Sequence, residues 1–178
     1  MIKVSKTVFS VILSLFVLFS PFFCSVTYAQ EANESMTPPD DFGDPVSIIT
    51  YSDEDGCTIT EKTYVVLNKQ KRDPSSGSGW FKNEKTKNWK GGDVSTYYAQ
   101  GYFSWGNGDV NVSSASGGIS SVSGITVSNK STTSGTGRYG YIFNKYAYVT
   151  FSCTVSNKIG FSEDLSVTIR VSESGNTI

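Results

Sequence analysis

The chain reads as an all-β protein, an antiparallel β-sandwich of seven to eight strands, and two observations predict this. Tyr146 to Val155 alternates strictly: Ala147, Val149, Phe151, Cys153 and Val155 are apolar, while Tyr146, Tyr148, Thr150, Ser152 and Thr154 carry hydroxyls. A period of two built from β-branched and aromatic residues means a strand with one buried and one wetter face. Leu165 to Val171 repeats the pattern, with Leu165, Val167, Ile169 and Val171 inward and Ser166, Thr168 and Arg170 outward. No stretch carries a helical period of 3.6 residues.

The first residues have a different character. Lys3 and Lys6 precede an apolar run from Val8 to Phe23, and small residues stand at Thr27 and Ala29 before Gln30. This is the layout of a secretory signal peptide, so residues 1–29 are expected to be cleaved and the protein to be secreted. Pro21 interrupts the run, which argues against a membrane anchor. Residues 30–45 are acidic and polar and are expected to form a flexible segment. Residues 46–172 make a single β-sandwich domain, and residues 173–178 a polar tail.

The first predicted strand is Val46 to Tyr51, followed by a turn at SDEDG, residues 52–56, and a second strand from Cys57 to Leu67. Alternating acids in that turn suggest calcium. An EF-hand loop, however, needs an oxygen ligand where Tyr51 stands and a glutamate where Lys62 stands. The turn is therefore read as a solvated hairpin, and no metal or other cofactor is expected.

Residues 68–92 are rich in Lys, Gly and Ser and hold Trp80 and Trp89 without apolar company. They read as a long basic loop. Residues 31–61 carry acidic side chains and no basic ones. Either the two segments lie side by side and compensate, or the loop meets an anionic surface.

Asn107 and Gly108 then sit between two alternating runs, the strongest short-range hairpin signal. With these as turn residues, Gly106 opposes Asp109, Trp105 opposes Val110, Ser104 opposes Asn111 and Phe103 opposes Val112. Trp105, Phe103, Val110 and Val112 then share the core side, and Tyr102, Ser104, Asn111 and Ser113 the wet side. Ser114 to Ser123 offers only Ile119 and Val122 as anchors, Ile125 to Val127 reads as a short strand, and residues 129–137 read as a loop. Asn144 and Lys145 form either a turn or a bulge.

Of the three cysteines, Cys24 leaves with the leader, and Cys57 and Cys153 remain as an even inward-facing pair. In an exported protein such a pair is expected to form a disulfide, worth about 4–5 kcal/mol for so long a loop; the alternative is two buried free thiols. The frame from Cys57 to Cys153 with an intervening tryptophan resembles an immunoglobulin-like domain. The resemblance implies a sandwich architecture and assigns no functional residues.

The chain contains no histidine, and its 15 basic and 16 acidic residues nearly balance. Histidine catalysis is excluded and nothing favours nucleic acid, so the protein is read as a binder rather than an enzyme. The candidate ligand-binding residues are the outward Tyr98, Tyr102, Tyr146 and Tyr148, with Trp80 and Trp89 on the basic loop. Flat amphipathic rings on a rigid sheet suit stacking against sugars or anchoring a protein interface, and Arg138 beside Tyr139 adds a polar contact. The expected partner is a glycan or bacterial cell-wall polymer. The alternative is an extracellular protein bound by an exposed edge or an apolar patch.

Overall fold

The computed structural model describes residues 37–68, 75–140, 144–157 and 161–178. The expected leader, 1–29, lies outside the described residues, as do 30–36 of the acidic segment. The strands are β1 (Ser47–Ser52), β2 (Thr58–Leu67), β3 (Gly77–Asn88), β4 (Val94–Gly106), β5 (Asp109–Ser123), β6 (Ile125–Tyr139), β7 (Asn144–Asn157) and β8 (Ser162–Ser172). They form two antiparallel sheets, one in the order β1-β2-β3-β4-β5 and the other β6-β7-β8. Each sheet is a meander of consecutive strands, whereas the immunoglobulin arrangement uses Greek-key connections between its sheets. Among the described residues no helix is long and apolar enough to cross a membrane.

The hairpin at Asn107 and Gly108 has the expected register: Gly106↔Asp109, Trp105↔Val110, Ser104↔Asn111 and Phe103↔Val112. Both turn residues take positive φ, 55° and 70°, as a two-residue turn matched to the strand twist requires. The alternation of β7 and β8 is equally direct. Ala147, Val149, Phe151, Cys153, Val155, Leu165, Val167, Ile169 and Val171 are all buried.

These residues pack against Phe81, Tyr97, Ala99, Phe103 and Val110 of the larger sheet, giving one core between two layers. Phe81 and Phe103 meet edge to face at 5.5 Å. Two glycines set how closely the layers approach. A Cβ on Gly101 would come within 2.8 Å of Val149, and one on Gly117 within 2.5 Å of Phe151.

Three segments depart from the sequence reading. Residues 77–88, expected within a basic loop, form β3, which pairs with β4 along its whole length and with β2 from Gly79 to Asn88. Lys85 bonds Glu61 at 2.6 Å and Lys87 bonds Asp53 at 2.8 Å, so acidic and basic segments do compensate one another here. Residues 129–137 are strand too, part of β6, and Tyr139 pairs with Asn144. That pairing makes the Tyr139 region a hairpin partner of β7. The last residues fold back, with Val171 bridging Thr177 and the Ile178 amide donating to the Arg170 carbonyl at 3.2 Å.

The expected disulfide is not formed: Cys57 and Cys153 are free and buried. Cys57 lines a cleft beside Val155 and Ser156. Cys153 is not among the residues that line this cleft. Sharing the interior is a looser condition than sharing a level on the strand.

Candidate functional site

The four tyrosines singled out by sequence do not share a surface. Tyr98 and Tyr102 lie on the outer face of the five-stranded sheet, and Tyr146 and Tyr148 on the outer face of the three-stranded sheet, on opposite sides of the core.

The face bearing Tyr98 and Tyr102 is largely used by the protein itself. Trp80, expected on a loop, is in β3 opposite Tyr102 and is 4% exposed; Tyr102 is 8% exposed. Their rings meet edge to face at 5.7 Å. The Tyr102 hydroxyl donates to Ser78 Oγ at 2.8 Å and accepts from Asn68 Nδ2 at 2.7 Å.

Beside them Lys82 occupies an aromatic cage of its own chain. Its ammonium stands 5.1 Å from the Tyr98 ring, 5.2 Å from Tyr64 and 5.7 Å from Phe42, and it pairs with Glu84 at 3.0 Å. Phe42 belongs to the segment before β1 and meets Tyr64 edge to face at 6.3 Å. Tyr98 thereby makes an internal cation–π contact and is half-buried, while Trp80 and Tyr102 are buried.

The other outer face differs. Tyr139, Tyr146 and Tyr148 form a continuous row, with successive ring centroids 6.1 Å apart in both steps. Arg170 places its guanidinium carbon 5.6 Å from the Tyr146 ring, and Arg170 opposes Tyr148 in the β7–β8 register.

The row lies over glycine. Gly137 opposes Tyr146 and Gly135 opposes Tyr148; a Cβ at Gly137 would fall within 2.5 Å of the Tyr146 ring and one at Gly135 within 3.1 Å of the Tyr148 hydroxyl. The absent side chains let the rings lean onto β6. Beyond them the sheet continues as hydroxyls: Thr133, Thr150 and Thr168 share one cross-strand row, and Ser131, Ser152 and Ser166 the next. Thr150 and Thr168 hydrogen-bond at 2.8 Å.

Two members of this row were missed by sequence reasoning. Tyr139 stood in the Arg-Tyr pair where Arg138 was chosen, yet register sends Arg138 to the opposite face, opposite Lys145. Arg170, already read as outward, supplies the guanidinium instead. The signal for the row was the Gly-Thr-Gly of residues 135–137, in which alternation is invisible because glycine has no side chain to show a face.

Trp89 lies elsewhere again, at one end of the sandwich, edge to face with Phe161 at 5.5 Å. Together with Cys57, Ile125 and Val155 they line a cleft of about 310 Å³ whose rim carries Asp55, Lys90 and Asp93. Next to it the Lys87 ammonium stands 4.2 Å from the Trp89 ring. Among the described residues no group of three or more carboxylates, thiols or imidazoles is placed to hold a metal ion.

No protein-family model matches the chain, and no curated protein or solved structure is found to be similar to it.

Proposed function

We propose that this chain is an exported bacterial binding protein that holds a glycan or cell-wall polymer, without chemical turnover, on the outer face of its three-stranded sheet. The observation that carries this reading is the row Tyr139, Tyr146 and Tyr148, spaced at 6.1 Å with Arg170 beside it. Aromatic faces stack on the C–H faces of sugar rings, and the guanidinium and neighbouring hydroxyls satisfy sugar oxygens. A row on paired strands, its rings tilted 59° and 46° from one to the next, holds its geometry before the ligand arrives, which spares ordering entropy on binding. Export rests on the leader-like residues 1–29.

The test is retention of the full chain on insoluble cell-wall material and on immobilised polysaccharides, alongside Tyr146→Ala, Tyr148→Ala and Tyr98→Ala. Retention of the parent and of Tyr98→Ala, with loss in the Tyr146 and Tyr148 variants at unchanged melting temperature, is the expected result. Failure of the parent to bind any of these materials overturns the reading.

A further inference from the structure

β1 ends the five-stranded sheet, pairing with β2 from Ser47↔Thr63 to Ser52↔Thr58 and, among the described residues, with no strand on its other side. All six of its residues are exposed, with Ile48 at 59%, Ile49 at 57% and Tyr51 at 41%. The usual protections of an edge, a charge, a proline or a bulge within the strand, are missing from SIITYS.

Backbone direction follows from the register. Asp53 continues it, its amide donating to the Cys57 carbonyl at 3.0 Å. Opposed residues of an antiparallel pair alternate between bonded and unbonded. Ser47, Ile49 and Tyr51 therefore turn their amides and carbonyls toward β2, while Ile48, Thr50 and Ser52 turn theirs to the open edge. That edge is a template for an added strand.

Charge decides which strand. Exposed Asp44 precedes β1, and exposed Glu54 and Asp55 follow it; Lys62 opposes Ile48 from β2, and at the latter end Asp53 is neutralised by Lys87. Antiparallel pairing with a second copy sets the acidic start of one β1 beside the acidic end of the other, a like-charge conflict. We infer that β1 accepts an extended segment of a different protein, with alternating β-branched residues in its middle and Lys or Arg at its ends.

The test is fluorescence anisotropy of the full chain with two labelled peptides, KKTVTVTVTKK and EETVTVTVTEE. The basic-ended peptide is expected to bind roughly tenfold tighter or better at low ionic strength, with the gap narrowing at high salt. Thr50→Pro removes an outward amide while sparing the bonds to β2, and Ile48→Lys adds a charge to the edge. Each is expected to weaken binding roughly tenfold or more, with far-UV circular dichroism and melting temperature reporting an intact fold. Should Thr50→Pro unfold, Ile48→Lys carries the comparison. Equal affinity for the two peptides, no binding by either, or parent-like binding by folded variants overturns the inference. So does a dimer in sedimentation that Thr50→Pro dissolves, which assigns the edge to self-pairing.

Discussion

Lys87 on β3 reaches across the sandwich to Glu163 on β8, its ammonium 2.8 Å from Oε1 and 2.9 Å from Oε2, while also bonding Asp53 at 2.8 Å. Its side chain is 2% exposed. Removing the cation leaves two carboxylates facing one another, so Lys87→Met is expected to destabilise the fold by about 2 kcal/mol, below the value for a fully buried pair because both acids remain partly wet. Urea denaturation measures it.

The same contact sets a pH response. The hydrogen bond from Lys87 holds the Asp53 carboxyl below its ordinary value, so its contribution is complete above about pH 4 and is lost as pH falls through the lowered folded value. Burial pulls the Lys87 ammonium downward, but hydrogen bonds to Asp53 and Glu163 outweigh it and the net shift is upward. Its contribution is complete below about pH 10 and is lost as pH rises through the raised folded value. Unfolding midpoints measured at acid, neutral and alkaline pH are expected to fall at both extremes in the parent, and less steeply in Lys87→Met.

Tyr102 serves the fold rather than the candidate site. Tyr102→Phe keeps the edge-to-face contact with Trp80 and removes the hydroxyl shared by Ser78 and Asn68, at an expected cost of about 1 kcal/mol. Its retention on any polysaccharide that holds the parent is expected to be unchanged. Loss of binding without loss of stability would place the active surface on the five-stranded sheet.

Gly117 and Gly118 are adjacent on β5 and face opposite ways. A methyl on Gly117 meets Phe151 inside the core, so Gly117→Ala is expected to cost about 1–3 kcal/mol by overpacking. A methyl on Gly118 meets the Tyr98 hydroxyl at 3.1 Å, the far end of a half-buried side chain on the outer face, and Gly118→Ala is expected to stay within about 1 kcal/mol. Thermal unfolding of the two variants side by side tests the packing of the layers.

Burial raises the Cys153 thiol above its ordinary value, and Cys57 is also enclosed. Both are expected to resist alkylation in the native protein and to be fully alkylated on unfolding without reductant, as peptide mapping by mass spectrometry reads directly. A peptide containing Cys57 joined to one containing Cys153 would restore the disulfide.

Strands with one dry face were plain in the sequence. β7, β8 and the β4–β5 hairpin reveal themselves because water penalises apolar side chains on one face only, which writes a period of two into the residues, and because Asn107-Gly108 suits a turn of positive φ. β3 was not visible, and of β6 only Ile125 to Val127 was read as strand. Lys82, Lys85 and Lys87 are tolerated within β3 because Glu84, Glu61, Asp53 and Glu163 meet them, partners that, Glu84 apart, lie outside β3 and become its neighbours only after folding. β6 is held by pairing with β7 along one side and by tyrosines leaning onto its glycines, and neither leaves a pattern in β6 alone.

The outward direction of Tyr98, Tyr102, Tyr146 and Tyr148 was determined by local alternation. That Tyr102 is buried while the other three are only half-buried was decided by tertiary structure, because a ring's exposure depends on what covers its sheet. Phe42, Lys82 and Trp80 engage the outer face of the larger sheet, whereas Gly135 and Gly137 bring no side chain to compete with Tyr146 and Tyr148. Alternation reports the side of the backbone on which a residue stands; only the distant segments that arrive there settle whether it meets solvent or protein.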